Sequence, residues 1–207
     1  MPNWCSTYLR VKGTEGELKT VEEEITKAMT KEFTKTDFGK NWLGNLLYSI
    51  GLKETIDAKE GIRCRGTVDD FEMKDGEFRI WTTSAWCPHV KCVEKFVHHF
   101  APETELYYTA EEPGVELYLT NDPKSTEEVC GDVFIEHPDK VPEFFRGLED
   151  YAYDCTKSQV KEHLESRYGS GSWEDLLKKM TDELWELDPD SYVSFHEYEY
   201  YPLTELD

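Results

Sequence analysis

The chain has 207 residues, of which 38% are hydrophobic and 14% aromatic, enough to bury a core without disulfides or bound metal. Its formal net charge of −21 is concentrated in residues 103–207, which carry 28 Asp and Glu against 8 Lys and Arg. A field of that sign repels nucleic-acid phosphates and anionic lipids, which argues against direct binding to DNA, RNA or a membrane surface.

The first 61 residues predict a strand, a helix and an insertion. Residues 4–12 alternate between apolar and polar side chains, as in a half-buried strand, and Gly13 ends the pattern. Residues 15–30 place apolar side chains at helical spacing, so one face of this helix is expected to pack on a core. Residues 31–61 combine an apolar stretch with four glycines. We interpret them as an insertion packed against the domain.

A hairpin and a second helix are predicted next. Extended runs at residues 62–71 and 77–83 flank Asp75-Gly76, a dipeptide typical of hairpin turns. Pro88 suits the first turn of an amphipathic helix that ends before Pro102.

Residues 105–110 and 115–120 then predict two strands, or one bent strand, around Glu-Glu-Pro-Gly. The resulting order, β-α-β-β-α-β, is that of the split βαβ or ferredoxin-like arrangement, in which two helices cover one face of an antiparallel sheet. The prediction is an α+β protein whose ferredoxin-like domain spans residues 1–122, with the insertion at 31–61.

Residues 123–207 predict an acidic, mostly helical extension that packs on this domain. Its predicted elements are a short strand near residues 132–136, a helix near 142–153, and two helices that begin at capping-box spacings, Thr156 with Gln159 and Ser172 with Asp175. Residues 192–201 alternate aromatic and acidic side chains, which indicates an edge strand protected by charge.

Cysteine usage and hydropathy indicate an intracellular setting. Six cysteines are spread along a chain that has no apolar run long enough for a signal peptide or a membrane span. A chain that can build its own core does not need disulfides, so we expect reduced thiols and a cytoplasmic location.

Several short motifs carry a family resemblance: Asn3-Trp4-Cys5, Trp42-Leu43-Gly44-Asn45, Cys64-Arg65-Gly66, Trp81 to Pro88, and Glu112-Pro113-Gly114. Together they resemble the YubB-type and phage Api-like family of ferredoxin-like proteins, which occurs on plasmids, in prophages and in gut bacterial genomes. The resemblance implies a fold and a mobile-element setting but no catalytic residue, cofactor or established activity. That family commonly has Ser where this chain has Cys87, which argues against an essential thiol.

The cysteines and histidines suggest two kinds of chemistry, and a structural role competes with both. Cys87, His89 and Cys92 have a spacing that could hold a soft metal with a fourth ligand from elsewhere. No C-x-x-C pair completes such a site, and Cys92 lies near the apolar side of its helix, so we predict no metal. Cys5 is a conceivable nucleophile, but a strand supplies no activating base, and burial is the favoured interpretation.

Aromatic and acidic residues give the candidate binding positions. Three tryptophans could form a platform that stacks bases, although bracing of the sheet ends is favoured. Carboxylates around Pro113 could suit Ca²⁺, although a solvated turn is favoured. The candidate binding residues are Trp4, Trp81, Trp86, Glu112, Gly114, Glu197 and Glu199.

The function expected from these patterns is that of a non-enzymatic binding or accessory protein whose acidic surface engages a basic protein partner. One alternative is a nucleic-acid mimic that occupies the basic groove of a nuclease or a host defence system. A further alternative is an enzyme with an unrecognised small-molecule pocket, although no catalytic triad or phosphate-binding loop is present in the sequence. The oligomeric state stays open.

Overall fold

The computed structural model describes residues 3–31, 33, 38–56, 61–152 and 155–206. Parts of the predicted insertion (32, 34–37 and 57–60) and one residue of a predicted helix (153) lie outside that range. The chain has mixed α and β structure, as the sequence predicts. It divides into two compact units, residues 1–122 with 200–207, and residues 123–199. Every helix in the described part of the chain is too short or too polar to cross a bilayer.

The regular elements follow the chain in a simple order. The strands are β1 (Trp4–Lys12), β2 (Gly66–Lys74), β3 (Glu77–Ala85), β4 (Glu105–Glu112), β5 (Leu117–Thr120), β6 (Glu128–Phe134), β7 (Cys155–Thr156), β8 (Tyr192–Glu197) and β9 (Glu199–Tyr200). The helices are α1 (Glu15–Thr30), α2 (Gly44–Ser49), α3 (Val90–Phe100), α4 (Glu143–Arg146), α5 (Lys157–Tyr168) and α6 (Trp173–Leu187).

Six strands form one sheet in the order β2-β3-β1-β4-β5-β9. The strand β1 runs antiparallel to both of its neighbours, with Leu9 opposite Ile80 on β3 and Tyr108 on β4. The pairs β2–β3 and β4–β5 are also antiparallel. The hairpin between β2 and β3 turns at Asp75 and Gly76, which both have positive φ, as its sequence predicts.

The core of the first unit lies on one face of this sheet. Alternate residues of β1 are fully buried, because a strand directs successive side chains to opposite faces. Helices α1 and α3 contribute to the same core, with Val21 and Ile25 from one and Phe96 and Val97 from the other. The helical layer therefore covers that face of the sheet.

The second unit has its own sheet, in the order β7-β6-β8, and its own core. That core takes Val193 and Phe195 from β8 and residues from α5 and α6. Both predicted helix starts are confirmed. Thr156 and Gln159 cap α5 reciprocally, and the Ser172 side chain accepts a hydrogen bond from the Asp175 N–H at the start of α6.

Four elements differ from the sequence prediction. The extended run predicted over 62–71 is β2, which begins at Gly66 and continues to Lys74. The strand predicted near 132–136 is β6, which begins four residues earlier because the buried alternation starts at Val129. The helix predicted near 142–153 is the short α4 followed by a 3₁₀ segment at 147–151. The single strand predicted over 192–201 is two strands in different sheets: β8 fills the second core, whereas the Tyr201 N–H donates to the Thr120 carbonyl of the first sheet.

Candidate functional site

Motifs that lie far apart in the sequence meet at one end of the first sheet. Trp4 at the start of β1 pairs with Ala85 at the end of β3, and the Trp86 N–H donates to the Asn3 carbonyl at 2.9 Å. The register of β1 with β4, in which Ser6 pairs with Glu111, brings the start of β1 beside the end of β4. We call this group the sheet-end cluster; it consists of Asn3, Trp4, Cys5, Trp86, Cys87, Glu112 and Gly114.

Glu112 is the most unusual member of the sheet-end cluster. The residue is only 3% exposed. Its Oε1 accepts a hydrogen bond from the Gly114 N–H at 3.2 Å, whereas its Oε2 is buried without a hydrogen-bond partner among the described residues. Buried polar atoms almost always have a partner, so this oxygen can accept a further donor.

Gly114 has a steric reason to be glycine. A Cβ at this position would lie 2.6 Å from Asn3 Nδ2 and 2.9 Å from Glu112 Oε1. Both distances are shorter than van der Waals contact. The missing side chain therefore allows the turn after β4 to close over Asn3 and Glu112.

Cys5 is buried beneath the sheet, in agreement with the favoured interpretation of the sequence. Burial, with smaller contributions from the nearby Cys87 and Glu112, raises the pKa of its thiol to about 12, although the Thr7 hydroxyl lowers it in part. A thiol with that pKa is protonated at neutral pH, and the protonated form is a poor nucleophile. Cys5 in this state does not supply covalent catalysis.

The three predicted tryptophans occupy different places. Trp86 adopts φ 73°, a left-handed conformation that is strained for a bulky residue, and half of its surface is exposed. Trp4 is also exposed and contacts Phe38 edge to face, with ring centroids 6.3 Å apart. Trp81 packs against Tyr8, with ring centroids 5.2 Å apart. It lies four residues along β3 from the Trp4–Ala85 pair, about 13 Å away.

The two candidate glutamates near the end of the chain lie on different strands. Glu197 on β8 forms an ion pair with Lys157 at 2.8 Å. Glu199 is exposed at the start of β9. Neither belongs to the sheet-end cluster as defined above.

Cys92 and Cys87, two of the three residues with soft-metal spacing in the sequence, contact different groups. Cys92 is buried and its Sγ donates to the Leu43 carbonyl at 3.1 Å, whereas Cys87 Sγ lies 3.8 Å from the Arg63 guanidinium. Among the described residues, the group with metal-binding spacing is His137, Asp188 and Asp190 instead. Sequence reasoning missed this group because His137 and Asp188 are 51 positions apart.

The acidic surface is densest on the second unit. Residues 123–199 carry 20 Asp and Glu and 8 Lys and Arg, a formal charge of −12, and 15 of the 19 acidic residues that the structure describes there are exposed. The first unit is longer and carries 24 Asp and Glu against 15 Lys and Arg, a formal charge of −9. The folded units therefore differ less in charge than the two halves of the sequence do.

Ion pairs within the second unit leave most of this charge in place. Ion pairs between described side chains join Lys140 with Asp188, Lys157 with Glu197, Lys161 with Glu165, Arg167 with Glu183, and Lys178 with Asp182. On the outer face of α6, Trp185 is 65% exposed, with Asp182 one turn earlier and Glu186 next to it. An aromatic side chain among carboxylates suits contact with cationic groups.

Searches of protein-family models, curated proteins and solved structures find no match to this chain.

Proposed function

We propose that the chain is a non-enzymatic binding protein whose second unit engages a basic surface of a partner protein. The observation that carries the proposal is the exposed charge of residues 123–199, where eight cations cannot neutralise twenty carboxylates. A net field of this kind accelerates encounter with a positively charged partner and disfavours acidic ones.

Trp185 supplies the apolar contact that charge alone does not give. Tryptophan is enriched among the residues that dominate interface energies, and cations stack favourably on its indole ring. Trp185 is exposed on α6, and Asp182 and Glu186 can receive Lys or Arg side chains around it. The partner surface is accordingly rich in arginine and lysine.

The proposal includes a ferredoxin-like fold for the first unit and a bacterial, mobile-element setting in the cytoplasm. The order β2-β3-β1-β4 with antiparallel neighbours, together with α1 and α3 in the core on one face, supports the split βαβ arrangement. The setting rests on the short motifs that resemble the YubB-type and Api-like family. An experimental structure in which β1 pairs with strands other than β3 and β4 overturns the fold assignment.

Binding is tested by cross-linking the intact protein in a lysate of its host, identifying the captured proteins, and measuring affinity for the purified partner at rising salt. The expected partner is basic, and its affinity falls steeply as salt screens the charges. Substitution of Trp185→Ala is expected to weaken binding about tenfold or more, as for a central aromatic anchor.

A matched pair of variants separates a local surface from general acidity. Asp182→Asn with Glu186→Gln removes two charges beside Trp185, whereas Glu15→Gln with Glu23→Gln removes two exposed charges from α1 in the first unit. The first pair is expected to weaken binding and the second to leave it nearly unchanged. The proposal is overturned if the two double variants weaken binding equally, or if the affinity does not change with salt concentration.

A further inference from the structure

Three segments of the second unit meet at the C-terminal end of α6. The Asp188 N–H donates to the Leu184 carbonyl at 2.8 Å and closes the helix, and the Ser191 N–H donates to the Asp188 carbonyl at 3.0 Å. The Glu136 N–H, just beyond β6, donates to Ser191 Oγ at 2.8 Å. These bonds fix the turn after α6 against the loop after β6.

The Asp188 carboxylate is held at the centre of this junction. Its side chain has no solvent exposure. Its Oδ2 accepts hydrogen bonds from Ser191 Oγ at 2.6 Å and from the His137 N–H at 3.1 Å, and its Oδ1 lies 2.9 Å from His137 Nδ1. The Ser191 hydrogen bond and then those from His137 hold the pKa of Asp188 below its usual range, so the group is a carboxylate at neutral pH.

Asp190 brings a second carboxylate to the same place. One ligand atom each from His137, Asp188 and Asp190 lies within 4.8 Å of the other two. Zinc binds nitrogen and oxygen at about 2.0–2.2 Å, so ligands in a tetrahedral shell lie about 3.3 Å apart. Rotation of the half-buried His137 and the exposed Asp190 side chains would bring their ligand atoms to that spacing, while Ser191 and the His137 N–H hold Asp188 as outer-shell partners of a metal ligand do.

We propose that His137, Asp188 and Asp190 bind a divalent first-row transition ion of the Zn²⁺ class, with water completing the shell. An imidazole nitrogen with two carboxylates favours such an ion over Mg²⁺ and Ca²⁺, which prefer shells of oxygen alone. The site does not depend on the acidic binding surface proposed above.

Lys140 competes with the metal ion for this site. Its ammonium lies 3.6 Å from Asp188 Oδ1, and half of its side chain is exposed. A bound dication repels this ammonium, and the flexible Lys140 stem lets it turn toward solvent. Lys140→Met is therefore expected to tighten metal binding, an effect that a purely structural helix cap does not predict.

The test uses the tag-free chain of 207 residues, stripped with chelator and titrated with Zn²⁺ by calorimetry. One ion per chain is expected. His137→Ala and Asp190→Asn weaken binding about tenfold or more, and Lys140→Met strengthens it. The control Glu174→Gln changes an exposed carboxylate in the first turn of α6, at the opposite end of the helix from Asp188, and leaves affinity unchanged. His137→Ala and Asp190→Asn retain the Asp188–Ser191 bonds, and circular dichroism verifies their folding.

Titration with Co²⁺ distinguishes this site from the cysteine thiols of the chain. Ligand-field bands without thiolate charge-transfer absorption support nitrogen and oxygen ligation. Strong thiolate absorption, failure of Zn²⁺ to bind, or equal affinity of the wild type and the His137→Ala and Asp190→Asn variants overturns the proposal.

Discussion

Arg167 and Glu183 join α5 to α6 through a two-point ion pair, in which Arg167 Nε donates to Glu183 Oε2 at 2.9 Å and Nη2 donates to Oε1. The same guanidinium lies over Phe144, with its central carbon 5.1 Å from the ring centroid. The Tyr168 hydroxyl also donates to Glu183. Arg167 therefore combines a paired hydrogen-bond geometry with ring contacts at the surface of the second core.

Replacing Arg167 is expected to destabilise the second unit. Arg167→Ala removes both the paired bonds and the ring contacts, and we expect a loss of about 2 kcal/mol in unfolding free energy. Arg167→Lys is expected to keep only part of that unfolding free energy, because an ammonium cannot make two parallel hydrogen bonds to one carboxylate. Hydrogen exchange of the α5 and α6 amides, with urea unfolding, measures the change.

The matched control is Lys178→Ala, which breaks the exposed ion pair of Lys178 with Asp182 on α6. An exposed pair four residues apart on a helix contributes about 0.5 kcal/mol or less. A loss as large for Lys178→Ala as for Arg167→Ala would show that the paired bonds and ring contacts of Arg167 add nothing beyond an exposed ion pair.

Gly114→Ala tests the close approach in the sheet-end cluster. The new methyl group would lie 2.6 Å from Asn3 Nδ2, so the side chains of Asn3 and Glu112 must shift. We expect a loss of about 1–2 kcal/mol in unfolding free energy. Gly16→Ala in α1, where the added Cβ meets no atom within 4 Å, is expected to stabilise instead because alanine favours helix. Chemical denaturation of both variants checks the contrast.

Local patterns predicted the regular elements well, and long-range placement explains what they missed. The capping residue Thr156 and the turn at Asp75-Gly76 were predictable, because a cap or a tight turn depends on residues a few positions apart. The division of residues 192–201 between two sheets was not predictable, because alternation along a strand does not reveal which sheet receives it.

In the candidate sites too, local sequence patterns did not reveal which distant residues come together. The individual motifs of the sheet-end cluster were recognisable, but their meeting depends on the register of β1 with β3 and β4. The burial of Glu112 had no signal in the sequence, since glutamate beside Pro113-Gly114 is typical of a solvated turn. His137 and Asp188 meet only through the packing of α6 against the second sheet.

Glu112→Gln is expected to stabilise the first unit. The amide keeps an acceptor for the Gly114 N–H and replaces a buried carboxyl group whose Oε2 has no hydrogen-bond partner among the described residues. We expect a gain of about 1–2 kcal/mol in unfolding free energy, measured by urea denaturation. The exposed neighbour Glu116→Gln is the control and should change stability by less than about 0.5 kcal/mol. A destabilised Glu112→Gln would show that the carboxylate has a partner that an amide cannot replace.

Cys5 should make the stability of the protein fall at alkaline pH. The thiol titrates at 9.0 without burial and at about 12 in the folded protein, where burial raises its pKa. Between those values the unfolded chain has released the proton and the folded chain retains it, so raising the pH favours unfolding. From pH 8 to pH 10 this group alone removes about 1.4 kcal/mol. Urea unfolding of wild type and Cys5→Ala across that range measures it. The difference in unfolding free energy between the two proteins should shrink by that amount, because the other titrating groups contribute equally to both. A constant difference would show that Cys5 ionises as readily in the folded protein as in the unfolded chain.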